Sequence, residues 1–507
     1  MIFLYYLNDE FMKALSLIDV FEKEYGLTTS LIQLKDKLLL RNKPQTKVSN
    51  SDSLPKLISD FELNPPSFNT LKKILMLGAG LVSKPGTVFL LENGLKVTVA
   101  SRTVSKAQSH VQGFENGRAE ALDIQNEEAL DALVKEHDII ISLLPWIHHS
   151  RVAQSCLKNN KHMATTSYVS EDMQKLDTEV KAKNLLFLNE IGVDPGIDHM
   201  SAMKIIDSVH AKGGKIRHFY SFCGGLPAPD DNDNPFGYKF SWSPRGVVLA
   251  SRNSARFLEN GSEVNIEGEN LFLNSRRETI ENLGEFEVYP NRDSVPYKEL
   301  YGLKDALTVM RGTYRNIGWC ETLKKIVDLG LVEDTPGQGL SANTFKKMMA
   351  DIAGVNENQD VMAAIAAKLG ITKDHFVIQN LAWLGLFEDL PVSAQDNHLD
   401  VLSDQLQKML YYKAGEKDML LMRHTFIIED ADGTEKKVTS TLNDFGIPNG
   451  DSSMARTVSL PLAIGVKMMA EDKIKLTGVK IPIQKEIYEP VLKGLEGLNI
   501  KMTEVGL

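Results

Sequence analysis

Cysteine is scarce in this chain. Its 507 residues hold three, Cys156, Cys223 and Cys320, spaced too widely for a disulfide framework or a metal-binding cluster. The expectation is a reducing, cytoplasmic setting and no metal. Basic excess is missing as well: 57 Lys and Arg against 67 Asp and Glu leave a formal charge of −10. No basic run reverses that locally, so no nucleic-acid partner is expected. Long apolar runs are absent. The opening MIFLYYL is too short to cross a bilayer and lacks a basic flank. Asp9, Glu10, Asp19, Glu22 and Glu24 count against a transit peptide. No membrane partner is expected, and there is no internal repeat or low-complexity segment. What remains, 43% hydrophobic and 24% charged, is an ordinary globular composition long enough for several domains.

The most informative stretch is 71–102. An apolar run, 74–77, ends in Gly78-Ala79-Gly80; a helical segment follows, then a second β-branched run, 97–100, ending at Ser101-Arg102-Thr103. Strand, glycine turn, helix and parallel strand offer bare backbone N–H groups and a helix N-terminus to a pyrophosphate. The third glycine of the usual G-x-G-x-x-G falls on Ser83, so the fingerprint is incomplete. Pro85 suits the first turn of the helix. The second strand ends about 20 residues beyond the glycines, where the ribose-recognising side chain belongs. NAD sites want a carboxylate there. Two hydroxyls flanking a guanidinium suit a 2′-phosphate instead, so the expected cofactor is NADP(H) and the expected chemistry hydride transfer.

Further strands are predicted over 138–144, 162–167 and 185–190, with helices over 127–136 and 171–183. This alternation predicts an α/β fold with a Rossmann-type doubly wound parallel sheet over 71–195. An α+β substrate and dimerisation domain is expected over 196–318 and 396–455, with strands near 217–224 and 284–289 and a hairpin at Asp432-Gly433. The segment 319–395 reads as a helical insert. Residues 456–507 read as helical, returning to the nucleotide domain. A small βαβ element, half of a ferredoxin-like unit, is expected over 1–42, followed by a polar linker over 43–70.

Four loops carry the densest polar chemistry: 166–168, 190–199, 223–243, and 289–294 with 311–315 downstream. Arg292, Arg311 and Arg315 suggest recognition of a polycarboxylate, because a guanidinium fork binds a carboxylate bidentately; for any single one of them, pairing with a protein Asp or Glu is the commoner alternative. Asp194 stands before Pro195, open to two roles: acid–base or orienting group at the cofactor cleft, and helix N-cap with Pro195 at the first helical position. Tyr168 offers a phenolic proton, or a buried hydroxyl with a structural partner. Cys223 reads as a small buried apolar side chain. His199 reads as a core or capping histidine.

At these loops the chain resembles the glutamate-forming saccharopine dehydrogenases. The blocks are ISLLPW, TTSYVS, NEIGVDPGIDHM, CGGLPAPDDNDNPFGYKFSWSPRGV, YPNRDS, VMRGTYR, AWLGLF and SSMARTV, in family order from about residue 72 onward. The N-terminal segment resembles the small βαβ region preceding the dehydrogenase part of bifunctional aminoadipate-semialdehyde synthases. The resemblance implies that glutamate and 2-aminoadipate 6-semialdehyde condense to an imine that NADPH reduces to saccharopine, and the reverse, in lysine metabolism. It implies saccharopine contacts at Ser167, Tyr168, Asp194, Arg292, Thr313, Tyr314 and Arg315. It implies dinucleotide contacts at Gly78, Ala79, Gly80, Leu81, Val82, Ser101, Arg102, Thr103, Asp123, Ile124, Leu144, Ser167, Val193, Asp194, Pro195 and Ser243. Tyr168, Asp194 and Cys223 match positions able to assist proton transfer, and a homodimer is implied. Trp146 stands where the family usually has Tyr; Asp451 and Ser459 replace the usual aromatic and glycine around SSMARTV. Two competing readings remain open: another imine-reducing enzyme, such as a carboxynorspermidine dehydrogenase, and a non-catalytic nucleotide sensor. The first would need acidic subsites, which the arginines of YPNRDS and VMRGTYR disfavour.

Overall fold

A computed structural model of the chain describes residues 72–337, 339–340 and 343–507. The βαβ element and the linker expected over 1–70 lie outside the described residues. Six strands, β1 (Lys73–Leu77), β2 (Lys96–Ser101), β3 (Gly117–Ala121), β4 (Ile139–Ser142), β5 (His162–Thr165) and β6 (Leu186–Leu188), alternate with helices. Eight follow: β7 (Lys215–Pro227), β8 (Ala255–Glu259), β9 (Ser262–Ile266), β10 (Arg276–Ile280), β11 (Gly284–Pro290), β12 (Thr308–Arg315), β13 (Asp418–Glu429) and β14 (Glu435–Phe445). The tail adds β15 (Gly478–Lys480) and β16 (Thr503–Val505) between and after its helices, so it is not wholly helical.

The first sheet runs β15-β6-β5-β4-β1-β2-β3, with every pair parallel. Its central strands, β1 and β4 among them, are apolar on both faces because helices cover both, whereas edge strand β3 is polar. Alternate residues of β1 feed different cores: Ile74 and Met76 join Val97, Val99 and Ile141 on one side, Leu75 and Leu77 join Ile140, Met163 and Phe187 on the other. The order reverses between β1 and β4, and there doubly wound sheets open a ligand crevice at their carboxyl ends.

The second sheet, β10-β11-β12-β7-β13-β14-β16 with β8 on β12 and β9 on β8, is mixed. Only β12–β7 is a parallel pair in it, the others being antiparallel. Phe219, Val309 and Phe426 pack with helix Ile197–Ala211 into the core that also holds Ile74 and Met76. The opposite face, with Phe222, Met310 and Tyr314, takes the helices Trp319–Asp328, Phe345–Ala353 and His398–Met409. Among the described residues no helix is long and apolar enough to cross a membrane.

Candidate active site

The glycine turn leaves β1 at Gly78. Its φ is +110° and its N–H donates to the Ala100 carbonyl at 2.9 Å. A Cβ there would lie 2.8 Å from the Leu143 carbonyl oxygen, so backbone proximity and the positive φ both demand glycine. A Cβ on Gly80 would meet nothing within 4 Å; that opening, at a helix start, is the space a pyrophosphate needs. Ser83 occupies the third glycine position without penalty. Its hydroxyl donates to the Gly80 carbonyl at 3.1 Å and closes the turn. Close helix packing falls instead to Gly86, whose Cβ would lie 2.6 Å from the Ser459 carbonyl. Ser459, on helix Ser453–Ala470, accepts the Gly86 N–H on its hydroxyl at 2.9 Å. It thereby satisfies an N–H of the first turn that the helix cannot satisfy itself. The serine that departs from the family pattern has a definite place in the fold.

At the end of β2 the Ser101 hydroxyl accepts the Thr103 N–H at 3.3 Å. Arg102 is exposed and has no ion pair among the described residues. Asp123 accepts the Gln125 N–H at 3.0 Å. Ala79, Ile124 and Val193 are buried beneath this rim, and Leu81 and Trp146 stand exposed above it. Leu144 follows β4 and is half-buried. Ser243 caps helix Pro244–Ala250 by accepting the Gly246 N–H. The residues present therefore fit a dinucleotide, and none at the β2 terminus is the carboxylate that NAD recognition uses.

Beside this crevice lies the chemically densest region. Tyr168 follows β5, Asp194 follows β6, and Arg311 reaches across from β12. The Tyr168 hydroxyl donates to Asp194 Oδ1 at 3.0 Å. One Arg311 nitrogen, Nη2, donates to the Tyr168 oxygen at 3.0 Å, to Asp198 Oδ2 at 2.8 Å and to Asp194. Its Nη1 donates to the Tyr297 hydroxyl at 2.9 Å. Behind Asp198 stands His199, wholly buried, bonded through Nε2 to Glu190 at 2.8 Å and through Nδ1 to the Tyr301 hydroxyl. Glu190 holds the backbone on either side of Tyr168: its carboxylate accepts the Val169 N–H at 2.9 Å and its N–H donates to the Ser167 carbonyl at 3.2 Å.

Asp194 is not the helix cap. The helix begins at Ile197 with Gly196 at its N-cap, and Asp198 accepts the Gly196 N–H. Pro195, joined to Asp194 by a cis peptide, precedes the helix and is not its first residue. Gly196 has φ +147°, and a Cβ on it would lie 2.1 Å from the Gly192 oxygen. That tight crossing frees Asp194 to face the cluster.

Burial pushes the Asp194 carboxyl upward against the pull of Arg311. Burial also works against the charge on Asp198, but His199 and Arg311 outweigh it and hold that carboxyl below its ordinary range. For His199 burial opposes the proton, and Asp198 and Glu190 prevail, so its pKa is raised. Burial drives the Tyr168 phenol and the Cys223 thiol well above their ordinary values. Cys223, on β7 opposite Thr313 and Met422, is therefore a buried thiol and not a thiolate.

The arginines separate. Exposed Arg292, at φ +54°, places its guanidinium 5.5 Å from the centre of the Tyr168 ring and has no ion pair among the described residues. Arg311 is taken up by the protein's own carboxylates, the structural pairing that the sequence left open. Arg315 is buried among Tyr238, Trp319 and Tyr289, with its Nε lacking a partner among the described residues. Residues 311–315 belong to a strand and not to a loop, so side chains alternate. Thr313 and Arg315 share the face of Arg311. The Tyr314 side chain points the other way, into Phe222 and Phe286, and donates to Glu278 at 3.0 Å; only its backbone remains for a ligand on the site face. Ser167, half-buried, is bonded to His149 at 2.7 Å. Glu190 opens the polar loop 190–199 with no role of its own legible there, and His149 has no local pattern that marks it as a site-forming residue. Among the described residues no group of His, Cys, Asp and Glu is placed to hold a metal ion.

Two family models match the chain: the saccharopine dehydrogenase NADP binding domain over 74–188 and the saccharopine dehydrogenase C-terminal domain over 192–500. A saccharopine dehydrogenase (NADP(+), L-glutamate-forming) of Pyricularia oryzae is 40% identical over 434 residues, covering 84% of this chain and 96% of that protein. The mitochondrial alpha-aminoadipic semialdehyde synthase of Bos taurus is 38% identical over 446 residues, 86% of this chain and 48% of that longer protein. The solved structure of apo saccharopine dehydrogenase (L-Glu forming) from Saccharomyces cerevisiae matches with a TM-score of 0.79 at 38% identity, covering 86% of this chain and 99% of that one. With the crevice, the phosphate-suited strand end and these matches together, the chain belongs to the saccharopine dehydrogenase family.

Proposed function

We infer that this protein is an NADP-dependent oxidoreductase acting on a CH–NH bond: it interconverts saccharopine, NADP+ and water with L-glutamate, 2-aminoadipate 6-semialdehyde, NADPH and a proton. The reading rests on one juxtaposition: Tyr168, Asp194 and Arg311 meet where the parallel sheet presents its carboxyl ends to the second sheet. The fungal relatives carry NADP(+) and L-glutamate formation in their names, and a three-carboxylate substrate agrees with Arg292 and Arg315 beside the cluster.

NADP(H), when bound, supplies or takes up the hydride. The protein supplies orientation and charge. Arg292 and Arg315 hold carboxylates, and Thr313 adds a hydroxyl on the same face. An iminium accepts hydride more readily than a neutral imine, so the site must keep the reacting nitrogen cationic. Asp194 faces that positive charge, and its upward-shifted carboxyl is suited to exchanging the proton when the imine is hydrolysed. Tyr168, held neutral, donates to Asp194 and fixes its orientation. Arg102 receives the 2′-phosphate. A cytoplasmic location and a homodimer complete the proposal; the three cysteines are free thiols, as a reducing compartment keeps them.

The test is NADPH formation from NADP+ and saccharopine, followed by absorbance at alkaline pH, with glutamate measured as co-product. Saccharopine-dependent turnover is expected. A protein that binds NADPH yet leaves saccharopine untouched would support the nucleotide-sensor reading instead.

A further inference from the structure

A second hydrogen-bonded chain lies beside the charged cluster. Ser142 ends β4, Ser167 follows β5, and His149 opens helix His149–Lys158 between them. The Ser142 hydroxyl lies 2.8 Å from His149 Nδ1, and His149 Nε2 lies 2.7 Å from the Ser167 hydroxyl. Ser142 is fully buried and the imidazole nearly so. The end of β5 is pinned as well: Thr165 donates to the Ser142 carbonyl at 2.8 Å and accepts the Ser167 N–H at 3.3 Å.

Proton counting gives this chain a direction. A neutral imidazole has one N–H and one lone pair; a hydroxyl has one proton to give. If Nδ1 carried the proton, it would donate to Ser142, and Ser167 would donate to Nε2. The Ser142 proton would then need another acceptor, and among the described residues its hydroxyl has none besides His149. An unspent buried donor is costly. With the proton on Nε2, Ser142 donates to Nδ1 and His149 donates to Ser167. Every buried proton is then used, and the one left over is the hydroxyl proton of half-buried Ser167, next to Tyr168. Burial holds the imidazole at a pKa of about 4, so it is neutral near pH 7. The neighbouring surface favours anions, since the exposed Arg292 guanidinium lies over the Tyr168 ring.

We propose that His149 is a positioning residue, which together with Ser142 fixes the Ser167 hydroxyl as a hydrogen-bond donor to a carboxylate of the amino-acid substrate. The proposal rests on the saccharopine reading above. Wild-type turnover of saccharopine tests that reading first, and only variants of an active protein bear on His149.

The variants are H149L, H149Q, S167A and H149L/S167A, in the full chain. S167A and H149L each raise the saccharopine KM about tenfold, the loss of one hydrogen bond to a charged group. Their kcat changes much less, and NADPH affinity by fluorescence titration falls by less than the saccharopine KM rises. Gln keeps an amide N–H at the Nε2 position, so H149Q recovers most of the loss. The double variant matches S167A alone, because His149 acts through that hydroxyl. Additive effects in the double variant, an H149Q as impaired as H149L, or a loss that falls on NADPH rather than saccharopine would each overturn the proposal. Should H149L not fold, nitrogen chemical shifts of labelled histidine in the wild type decide the matter: an Nε2–H tautomer at His149 is expected, and an Nδ1–H tautomer overturns it.

Discussion

Replacing Arg311 with Met is the sharpest test of the buried cluster. The side chain is only 3% exposed and sits between two carboxylates, Asp194 and Asp198, of which Asp198 is 1% exposed. Met fills similar volume without charge. Breaking a buried ion pair by deleting one partner costs roughly 3–5 kcal/mol, because the other charge is left uncompensated. Here the lower end applies. Asp198 keeps the Gly196 N–H and a His199 nitrogen at 3.9 Å, and Asp194 keeps the Tyr168 hydroxyl. About 3 kcal/mol is therefore expected near neutral pH.

The pH dependence identifies the cause. In the wild type the folded pKa of Asp198 is depressed. Its contribution is present above the unfolded value of about 3.9 and is lost as pH falls through the folded pKa. Asp194, with a raised folded pKa, acts in the opposite sense. Removing Arg311 withdraws the downward pull on both. The Asp194 carboxyl, already above its unfolded value, then rises further, while Asp198 keeps the pull of His199 and the Gly196 N–H; the variant's stability, intact below about pH 4, falls as pH climbs through the raised pKa of Asp194. Urea unfolding at pH 5 and pH 8 reads this out: the gap between wild type and R311M is smaller at pH 5 than at pH 8. A cost below about 1 kcal/mol, or one equal at both pH values, would refute the account, since a surface-like pair would behave that way.

Two further substitutions address the ligands. R102D weakens NADPH about tenfold or more and NADH much less, because a carboxylate repels the 2′-phosphate that only NADPH carries; fluorescence titration with both cofactors checks it, and equal losses would remove Arg102 from phosphate recognition. R292A raises the saccharopine KM about tenfold with NADPH affinity retained, the loss of one charge-assisted contact; an unchanged KM would remove Arg292 from the carboxylate clamp.

The parallel sheet was legible because its strands announce themselves locally. KILML, KVTVAS and IIIS are short apolar runs bounded by turns, and the helix predicted over 127–136 is Glu127–Glu136. Strand β12 was not legible. TVMRGTYR reads as a polar loop, for nothing near Arg311 in the chain says that its charge can be buried. The compensating Asp194 and Asp198 lie 117 and 113 positions away. Once β12 is known to be a strand, its two-residue period turns Tyr314 away from the face of Arg311, Thr313 and Arg315. Ser459 is a similar case. From the sequence it is a departure in a distant helix; its role appears only when the fold brings it to Gly86, 373 positions earlier. The Asp194-Pro195 pair, in turn, carried a good capping signal, but the tight Gly192–Gly196 crossing, a contact between two backbones, moves the helix start beyond it.

Taken along the run of ionic contacts, Glu190, His199, Asp198, Arg311 and Asp194 alternate in charge. His199, its pKa raised against burial by Asp198 and Glu190, and the Arg311 guanidinium are two cationic partners for three carboxylates, which leaves one negative charge when all are ionised. That residue of charge belongs at Asp194. Its side chain is 15% exposed, whereas those of the other four are 8% or less. The hydroxyls and the thiol around it, Tyr168, Tyr297, Tyr301 and Cys223, are all held neutral by burial. None of these four can exchange a proton with a ligand near neutral pH. On the proposed function, a cationic substrate nitrogen placed against Asp194 would complete the neutralisation that the protein leaves unfinished, and affinity for the cationic adduct and stabilisation of the developing charge would come from the same unbalanced carboxylate.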